Sequence, residues 1–406
     1  MDPAKNPFSP GAGNPPPELA GREDILNEAK TTIARVADGR HSRSQMLLGL
    51  RGVGKTVLLN EIESMADERK LLTAIIEAPE SKTFLEKLAP QLRKVIIKLD
   101  RVAALKKHAN DARVALRNFL SVFKVKYEGV ELGVDPEPGI ADSGDLSSDL
   151  TDLLLLVAQA AAKGKTAVVL LVDEVQYLSE DELTALIVAL HRISQKNLPF
   201  VVFGAGLPQL AGLAGEAKSY AERLFDYPTV GALEKSAATD AIKLPIEKAG
   251  ARIDRSALAK ILKETQGYPF FLQEWGYQAW NAASTKTITT TDVVEANKAA
   301  IKRLDRGFFR VRLDRMTPRE QEYMRAMAEL GAGPHRSGDI AAKLGISVRT
   351  AAPLRNTLID KGMIYSPAHG DTAFTVPMFD AYLRRAVLRL DNNDTNSKKR
   401  PRKRKT

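Results

Sequence analysis

Short apolar runs separated by helix-periodic stretches fill the first half of this chain, the rhythm of a parallel sheet with crossover helices. The strand candidates are Gln45–Leu50, Leu71–Glu77, Ala167–Val172 and Phe200–Gly204. Ala167 to Val172 is apolar at every position, as a strand covered on both faces requires. Residues 83–160 interrupt the rhythm with helical stretches, a hairpin expected over Phe123–Gly133 and a polar loop from Asp135 to Asp149. They read as an insertion. Gly231 to Phe309 is helical in pattern throughout. The pattern therefore predicts a disordered lead at 1–17, an α/β domain with a parallel sheet at 18–230, and an all-α domain at 231–309. A basic linker follows at 310–316, then a small domain at 317–388 and a disordered basic tail at 391–406.

Composition narrows the class. The 406 residues include no cysteine, which excludes disulfides, thiol catalysis and cysteine-ligated zinc and is compatible with a cytoplasmic location. The Pro/Gly-rich N-terminus has no apolar core of a signal peptide, and no apolar run approaches the ~20 residues of a membrane span. The formal charge is +10, but seven positive charges sit between Lys398 and Lys405; removing them leaves +3. The body is thus near neutral, and the basic end can either grip phosphates or act as a solvated tail. The five histidines are scattered with no metal-ligand spacing.

The sharpest chemistry lies at Gly49-Leu50-Arg51-Gly52-Val53-Gly54-Lys55-Thr56, which fits G-x-x-x-x-G-K-[ST] between a strand and a helical run. Glycines let the backbone close around phosphate oxygens, and amide N–H groups at the helix start face the anion. Lys55 is expected on the β- and γ-phosphates of ATP and Thr56 on Mg2+. Asp173 and Glu174 end the apolar run Ala167–Val172, where ligands bind in open α/β sheets. Asp173 is the second expected Mg2+ ligand and Glu174 the general base for the attacking water.

These motifs resemble those of AAA+ and STAND ATPases, and of origin-recognition (initiator-type) ATPases in particular. Pro17-Glu18-Leu19-Ala20-Gly21-Arg22-Glu23 resembles the segment that precedes the P-loop in that group, and Gly267-Tyr268-Pro269 the Gly-x-Pro motif of its helical lid. The resemblance implies that Leu19, Ala20, Gly21, Arg22 and Pro269 lie near the adenine. It implies an arginine finger at Arg223, acting on a neighbouring subunit's ATP; the alternative is an exposed arginine paired with Glu222 or Asp226. Two departures stand out. The fourth strand runs into Ala205-Gly206-Leu207-Pro208 without a polar sensor side chain, and the lid motif supplies no sensor arginine. Both omissions imply slow hydrolysis, since each such contact supplies a few kcal/mol.

Thr317-Pro318 opens a helix as N-cap and first position. A second helix is expected over Ser337–Leu344 and a third ending at Lys361, followed by a hairpin of Met363–Ser366 and Thr372–Val376. This is the order of a winged helix-turn-helix, with Ile340, Leu344, Val348, Leu354 and Leu358 as core. Pro353 is expected to push the third helix start towards Thr350. Arg349, Thr350, Arg355, Asn356 and His369 are the candidate DNA contacts. Residues 317–385 carry nine basic and seven acidic side chains, only a mild excess.

The expectation is an ATP/ADP switch that couples nucleotide state to DNA through the winged helix and assembles as a homo-oligomer when ATP is bound. The alternatives are a STAND-type signalling scaffold using the winged helix for protein partners, and a replication or transposition helper ATPase.

Overall fold

A computed structural model describes residues 1–79, 83–101, 105–125 and 139–386. Most of the expected hairpin Phe123–Gly133 and the whole basic tail lie outside these residues. The chain divides into two compact units. The first, the ATPase unit, comprises Pro7–Gly250 with Thr265–Gln273. The second, the C-terminal unit, comprises Met1–Asn6, Ala251–Glu264 and the chain from Glu274 onward.

The ATPase unit is built on a five-stranded sheet. Its strands are β1 (Ser44–Leu48), β2 (Leu72–Glu77), β3 (Val168–Asp173), β4 (Phe200–Gly206) and β5 (Phe225–Asp226). The order is β2-β3-β4-β1-β5, and every pair is parallel. Alternation along β3 explains the continuous apolar run. Val169 and Leu171 join the core under α1 (Glu23–Ala37) and α2 (Lys55–Glu68). Val168, Leu170 and Val172 face the opposite core, formed with α3 (Phe84–Asp100), α4 (Lys106–Val122), α5 (Leu146–Lys163) and α6 (Glu180–Gln195). With helices on both faces, no position of a central strand reaches water.

The stretch read as an insertion at 83–160 is therefore not uniform. Leu150, Leu153, Leu154, Val157 and Ala161 recur at helical spacing on α5 and are fully buried. This helix is the crossover that returns the chain to β3, so only α3 and α4 are additional. The lead at 1–17 also differs from expectation. Phe8 is buried, and the Ser9 amide donates to Gln273 Oε1 at 3.4 Å. The aromatic anchor makes ordering favourable where Pro/Gly content alone pointed to disorder. Three further helices complete the unit: α7 (Leu210–Ala217), α8 (Ala221–Leu224) and α9 (Lys235–Lys248).

The C-terminal unit takes in helices of the expected lid: most of α10 (Arg255–Thr265), the larger part of α11 (Pro269–Ala282) and α12 (Thr290–Arg303). A two-stranded parallel pair, β6 (Arg252–Ile253) with β7 (Thr287–Ile288), interrupts the helical pattern. Trp275 is fully buried, its indole N–H on Asn297 Oδ1 at 3.1 Å, so it is lid core. The predicted linker 310–316 is helical through Asp314. A π-helical turn, Leu304–Phe309, joins α12 to α13 (Arg310–Asp314). Arg310 and Asp314 pair at 2.8 Å one turn apart, which turns the basic run into a helix face.

The remainder is α14 (Pro318–Leu330), β8 (His335–Arg336), α15 (Ser337–Leu344), α16 (Val348–Asp360), β9 (Ile364–Tyr365) and β10 (Asp371–Phe374). The three strands form an antiparallel sheet in the order β8-β10-β9. Thr317 caps α14 through a reciprocal box with Glu320. Ser347 caps α16, its hydroxyl accepting from the Thr350 amide at 3.2 Å, so this helix starts at Val348 rather than Thr350. Pro353 then lies inside the helix and leaves the Arg349 carbonyl without its usual donor. Ile340 and Leu358 are fully buried and Leu344 and Leu354 half-buried, but Val348 is 50% exposed and is not core. Being the first helical residue, it sits before the buried stripe begins.

Candidate functional site

The loop after β1 wraps Gly49 to Thr56. A Cβ on Gly49 would lie 2.1 Å from the Val230 carbonyl oxygen, so no other residue fits that approach. Gly54 has φ of 95° and caps α2 from the left-handed region. The Lys55 ammonium folds back onto the loop, donating to the carbonyls of Gly49 at 2.9 Å and Leu50 at 3.0 Å. Burial lowers its pKa, while the charges of Glu174 and Asp173 pull the other way. The side chain is thus held beside the loop by bonds that an incoming phosphate can replace.

Asp173 ends β3 directly opposite Thr56. The Thr56 hydroxyl donates to Asp173 Oδ2 at 2.6 Å. Burial raises the Asp173 pKa, against the opposing hydrogen bond from Thr56. A hydroxyl and a carboxylate oxygen converging from two elements form a hard-oxygen pair. That pair suits Mg2+, which takes a few protein oxygens and fills its shell with phosphate and water. Among the described residues no group of three or more carboxylates and histidines gathers elsewhere to hold a metal.

Glu174 follows in a left-handed backbone conformation, φ 53° and ψ 40°, uncommon for a residue with a side chain. Its amide donates to Asp173 Oδ1 at 2.8 Å. The kink turns the Glu174 side chain out of the strand line. It lines a cavity of ≈ 470 Å³ together with Arg51, Glu77, Lys87 and Tyr177. Arg51 donates to the Tyr177 hydroxyl, and its buried Nε has no partner among the described residues.

Two features here were not expected from the sequence. The Gln176 amide donates to Glu174 Oε2, and Gln176 Oε1 accepts from the Leu207 amide at 3.1 Å. A polar side chain therefore does stand at the end of β4, supplied by the turn after β3. The second is the lead: a Cβ on Gly13 would lie 3.5 Å from Thr56 Cγ2, so the lead passes beside the P-loop. The only sequence signals were the glutamine two residues after Glu174 and the glycine at 206.

Of the remaining expected nucleotide residues, Arg22 and the start of the helix at Pro269 meet the loop. Arg22 is buried and donates to the carbonyls of Val53 and Gly231. Ala20 is buried, and Gly21 has φ of 67° with its amide on Glu23 Oε1 at 3.1 Å. Leu19 precedes them and is half-buried. Pro269 starts α11, and the next amide, Phe270, donates to the Gly52 carbonyl at 3.1 Å. The Leu233 amide donates to the Gly267 carbonyl at 2.8 Å.

These observations meet a family comparison. Residues 18–203 match the AAA ATPase domain family. The chain thus carries an AAA+ P-loop ATPase domain, with the parallel five-stranded sheet of a P-loop NTPase. Residues 306–383 match a domain of unknown function (DUF8462). No curated protein matches the chain. A Walker-type ATPase of Pyrococcus abyssi is similar in structure, with a TM-score of 0.55 and 18% identity over 90% of this chain and 96% of that one. At that identity the likeness speaks for fold alone. The Aeropyrum pernix ORC1 protein in complex with DNA gives a TM-score of 0.45 at 16% identity, covering 92% and 95% of the two chains. The Thermotoga maritima RuvB Holliday junction branch migration motor gives 0.44 at 14%, covering 87% and 92%. No helix among the described residues is long and apolar enough to cross a membrane.

Arg223 is exposed on α8. Its guanidinium makes no hydrogen bond or ion pair among the described residues, and Asp226 pairs with Arg43 at 3.1 Å instead. In the C-terminal unit, Arg349, Thr350, Asn356 and His369 are exposed. Arg355 is different. Its guanidinium donates to Thr372 Oγ1, Ser366 Oγ and the Asp371 carbonyl, each at 2.9 Å. It clamps α16 to the β9–β10 hairpin, and the geometry gives it a structural task before any contact with a ligand.

Proposed function

We infer that the protein is an ATP-hydrolysing switch that couples its nucleotide state to DNA binding through a C-terminal winged helix. The observation that carries the ATPase half is the meeting of Thr56 and Asp173 at 2.6 Å, with Lys55 and Glu174 on either side. In this reading Lys55 leaves the loop carbonyls for the β- and γ-phosphates. Thr56 and Asp173 would hold Mg2+, which would supply charge neutralisation of the phosphates. Glu174 accepts a proton from the attacking water. Leu19, Ala20, Gly21, Arg22 and Pro269 shape the adenine side. Arg223, with no partner of its own, acts on the ATP of a second subunit. Turnover is slow, below the ~10 per second median of enzymes.

The order helix, strand, helix, helix, hairpin, with β10 between β8 and β9, supports the winged-helix reading. Exposed Arg349, Thr350 and Asn356 on α16 suit phosphate and base edges. The decisive experiment is binding of duplex DNA across a salt series with ATP–Mg2+, with ADP and without nucleotide. Absence of binding at low salt would discard the DNA half. One observation favours a second reading, a signalling scaffold: Val348, at the start of the same helix, exposes half of its apolar surface. A protein-contacting helix uses such a residue, and that reading predicts no DNA binding at any salt.

A further inference from the structure

Gln176 joins two elements that otherwise end separately. Its carboxamide orientation is fixed by its partners. The Leu207 amide can only donate, so the oxygen faces it, at 3.1 Å. The NH2 group is thereby left to donate to Glu174 Oε2. The room for this side chain comes from a third residue. A Cβ built on Gly206, the last residue of β4, would lie 2.9 Å from Gln176 Oε1 and 2.9 Å from Leu210 Cδ2. A glycine at that position leaves the strand end open, and the glutamine of the neighbouring turn fills it.

We propose that Gln176 is the positioning residue for Glu174, taking over from the turn after β3 a task that the end of β4 leaves undone. This rests on the reading of Glu174 as the base for ATP hydrolysis. Glu174 sits on a left-handed residue at a strand end, where the backbone alone leaves its χ angles free to swing the carboxylate across the ≈ 470 Å³ cavity. One donor on Oε2 pins one oxygen and leaves Oε1 to take the water's proton. The donor is a neutral amide, so it orients the carboxylate without adding a cation beside it. Its other end is tied to the backbone just past β4, the strand between β3 and the P-loop strand β1. Gln176 does not touch the phosphates in this arrangement; it acts through Glu174.

The test separates binding from chemistry. Gln176→Glu keeps the shape and the acceptor for the Leu207 amide but replaces the donor with an oxygen. Gly206→Ala leaves Gln176 in the chain and displaces its carboxamide. Both variants, and Glu174→Gln as reference, are measured for equilibrium ATP affinity and for single-turnover hydrolysis, with thermal melting as the check on folding. The expected result is a rate at least about tenfold below the unsubstituted protein in both variants, with ATP affinity within about twofold. Rates within twofold of the unsubstituted protein, while Glu174→Gln binds ATP and does not hydrolyse it, would overturn the role of Gln176 alone. A parallel loss of affinity and rate would also overturn it, since that marks a structural part. Should Gln176→Glu not melt cooperatively, Gly206→Ala decides. Hydrolysis by Glu174→Gln at the full rate would instead remove the reading on which the proposal rests.

Discussion

The P-loop cluster and the C-terminal helical domain carry their chemical groups in opposite ways. In the first, Lys55 from the P-loop and Asp173, Glu174 and Gln176 from the end of β3 and its turn lie buried or half-buried. In the second, Arg349, Thr350, Asn356 and His369 stand exposed, and the one candidate with three hydrogen bonds, Arg355, uses them to hold its own hairpin. The difference teaches what each region can do without a ligand. A desolvated cluster is pre-arranged for chemistry and sensitive to single substitutions. An exposed face reads another molecule and tolerates change.

The comparison breaks first at the cluster if single substitutions there prove mild. Lys55→Ala is expected to abolish ATP binding. Glu174→Gln is expected to keep binding and lower single-turnover hydrolysis on the order of 1000- to 10,000-fold. Fluorescent-nucleotide titration and quench-flow read the two effects, and loss of binding in Glu174→Gln would remove the division of labour between them. Arg223→Ala tests whether an exposed residue can matter as much as a buried one. As a finger acting in trans it should lower hydrolysis about 1000-fold and leave ATP affinity unchanged. Specific activity should rise with protein concentration before the substitution and not after it. Activity independent of concentration, in a protein that sediments as a monomer with ATP, would return Arg223 to an ordinary surface role.

Within the C-terminal domain, two arginines six residues apart should separate. Arg349→Ala is expected to weaken DNA binding about tenfold with an unchanged melting curve. Arg355→Ala is expected to lower stability by about 1–3 kcal/mol by freeing Thr372, Ser366 and the Asp371 carbonyl, as chemical denaturation would show. Equal effects of the two on binding, with no loss of stability, would contradict the clamp.

The smallest expected effect is on pH dependence, where the two regions have opposite signs. Burial works to raise the Glu320 pKa, but its bonds with Lys361 and Thr317 outweigh it and hold the pKa down. Its contribution to stability is therefore present above the usual glutamate pKa and is lost as pH falls through the depressed folded value. Asp173 is raised by burial, so its charged form disfavours folding, and that penalty fades as pH falls through its elevated pKa. Acid titration followed by domain-specific fluorescence should show the C-terminal domain weakening first. Lys361→Met should remove that acid-dependent loss, and a Lys361→Met variant that loses as much stability on acidification as the unsubstituted protein would contradict the assignment.

Much of this was legible before any coordinates. The P-loop, the apolar run of β3 and its two carboxylates fix the sheet and half of the site, because glycine spacing and continuous burial leave direct marks in sequence. The place of Gln176 left only faint marks, since it depends on the emptiness of Gly206, thirty residues away. Phe8 was hidden among prolines and glycines whose composition pointed to disorder. Val348 was misread as core because apolar character does not reveal where a helix begins. The helix over Arg310–Asp314 was not expected, because a run of arginines carries no helical signal until Asp314, one turn beyond Arg310, is counted.

That last segment has a mechanical consequence. Thr290 to Asp314 is helical without interruption, about 37 Å at the usual rise per residue. Its far end is gripped: Phe309 stacks on Phe379 at 5.7 Å and on Tyr382 at 5.2 Å, and Asp305 holds Arg385 at 2.7 Å. A slack tether would absorb any motion delivered to it, and the domain beyond would drift at random. A helix gripped in this way does the reverse: it holds Phe379, Tyr382 and Arg385 in a set place relative to α12.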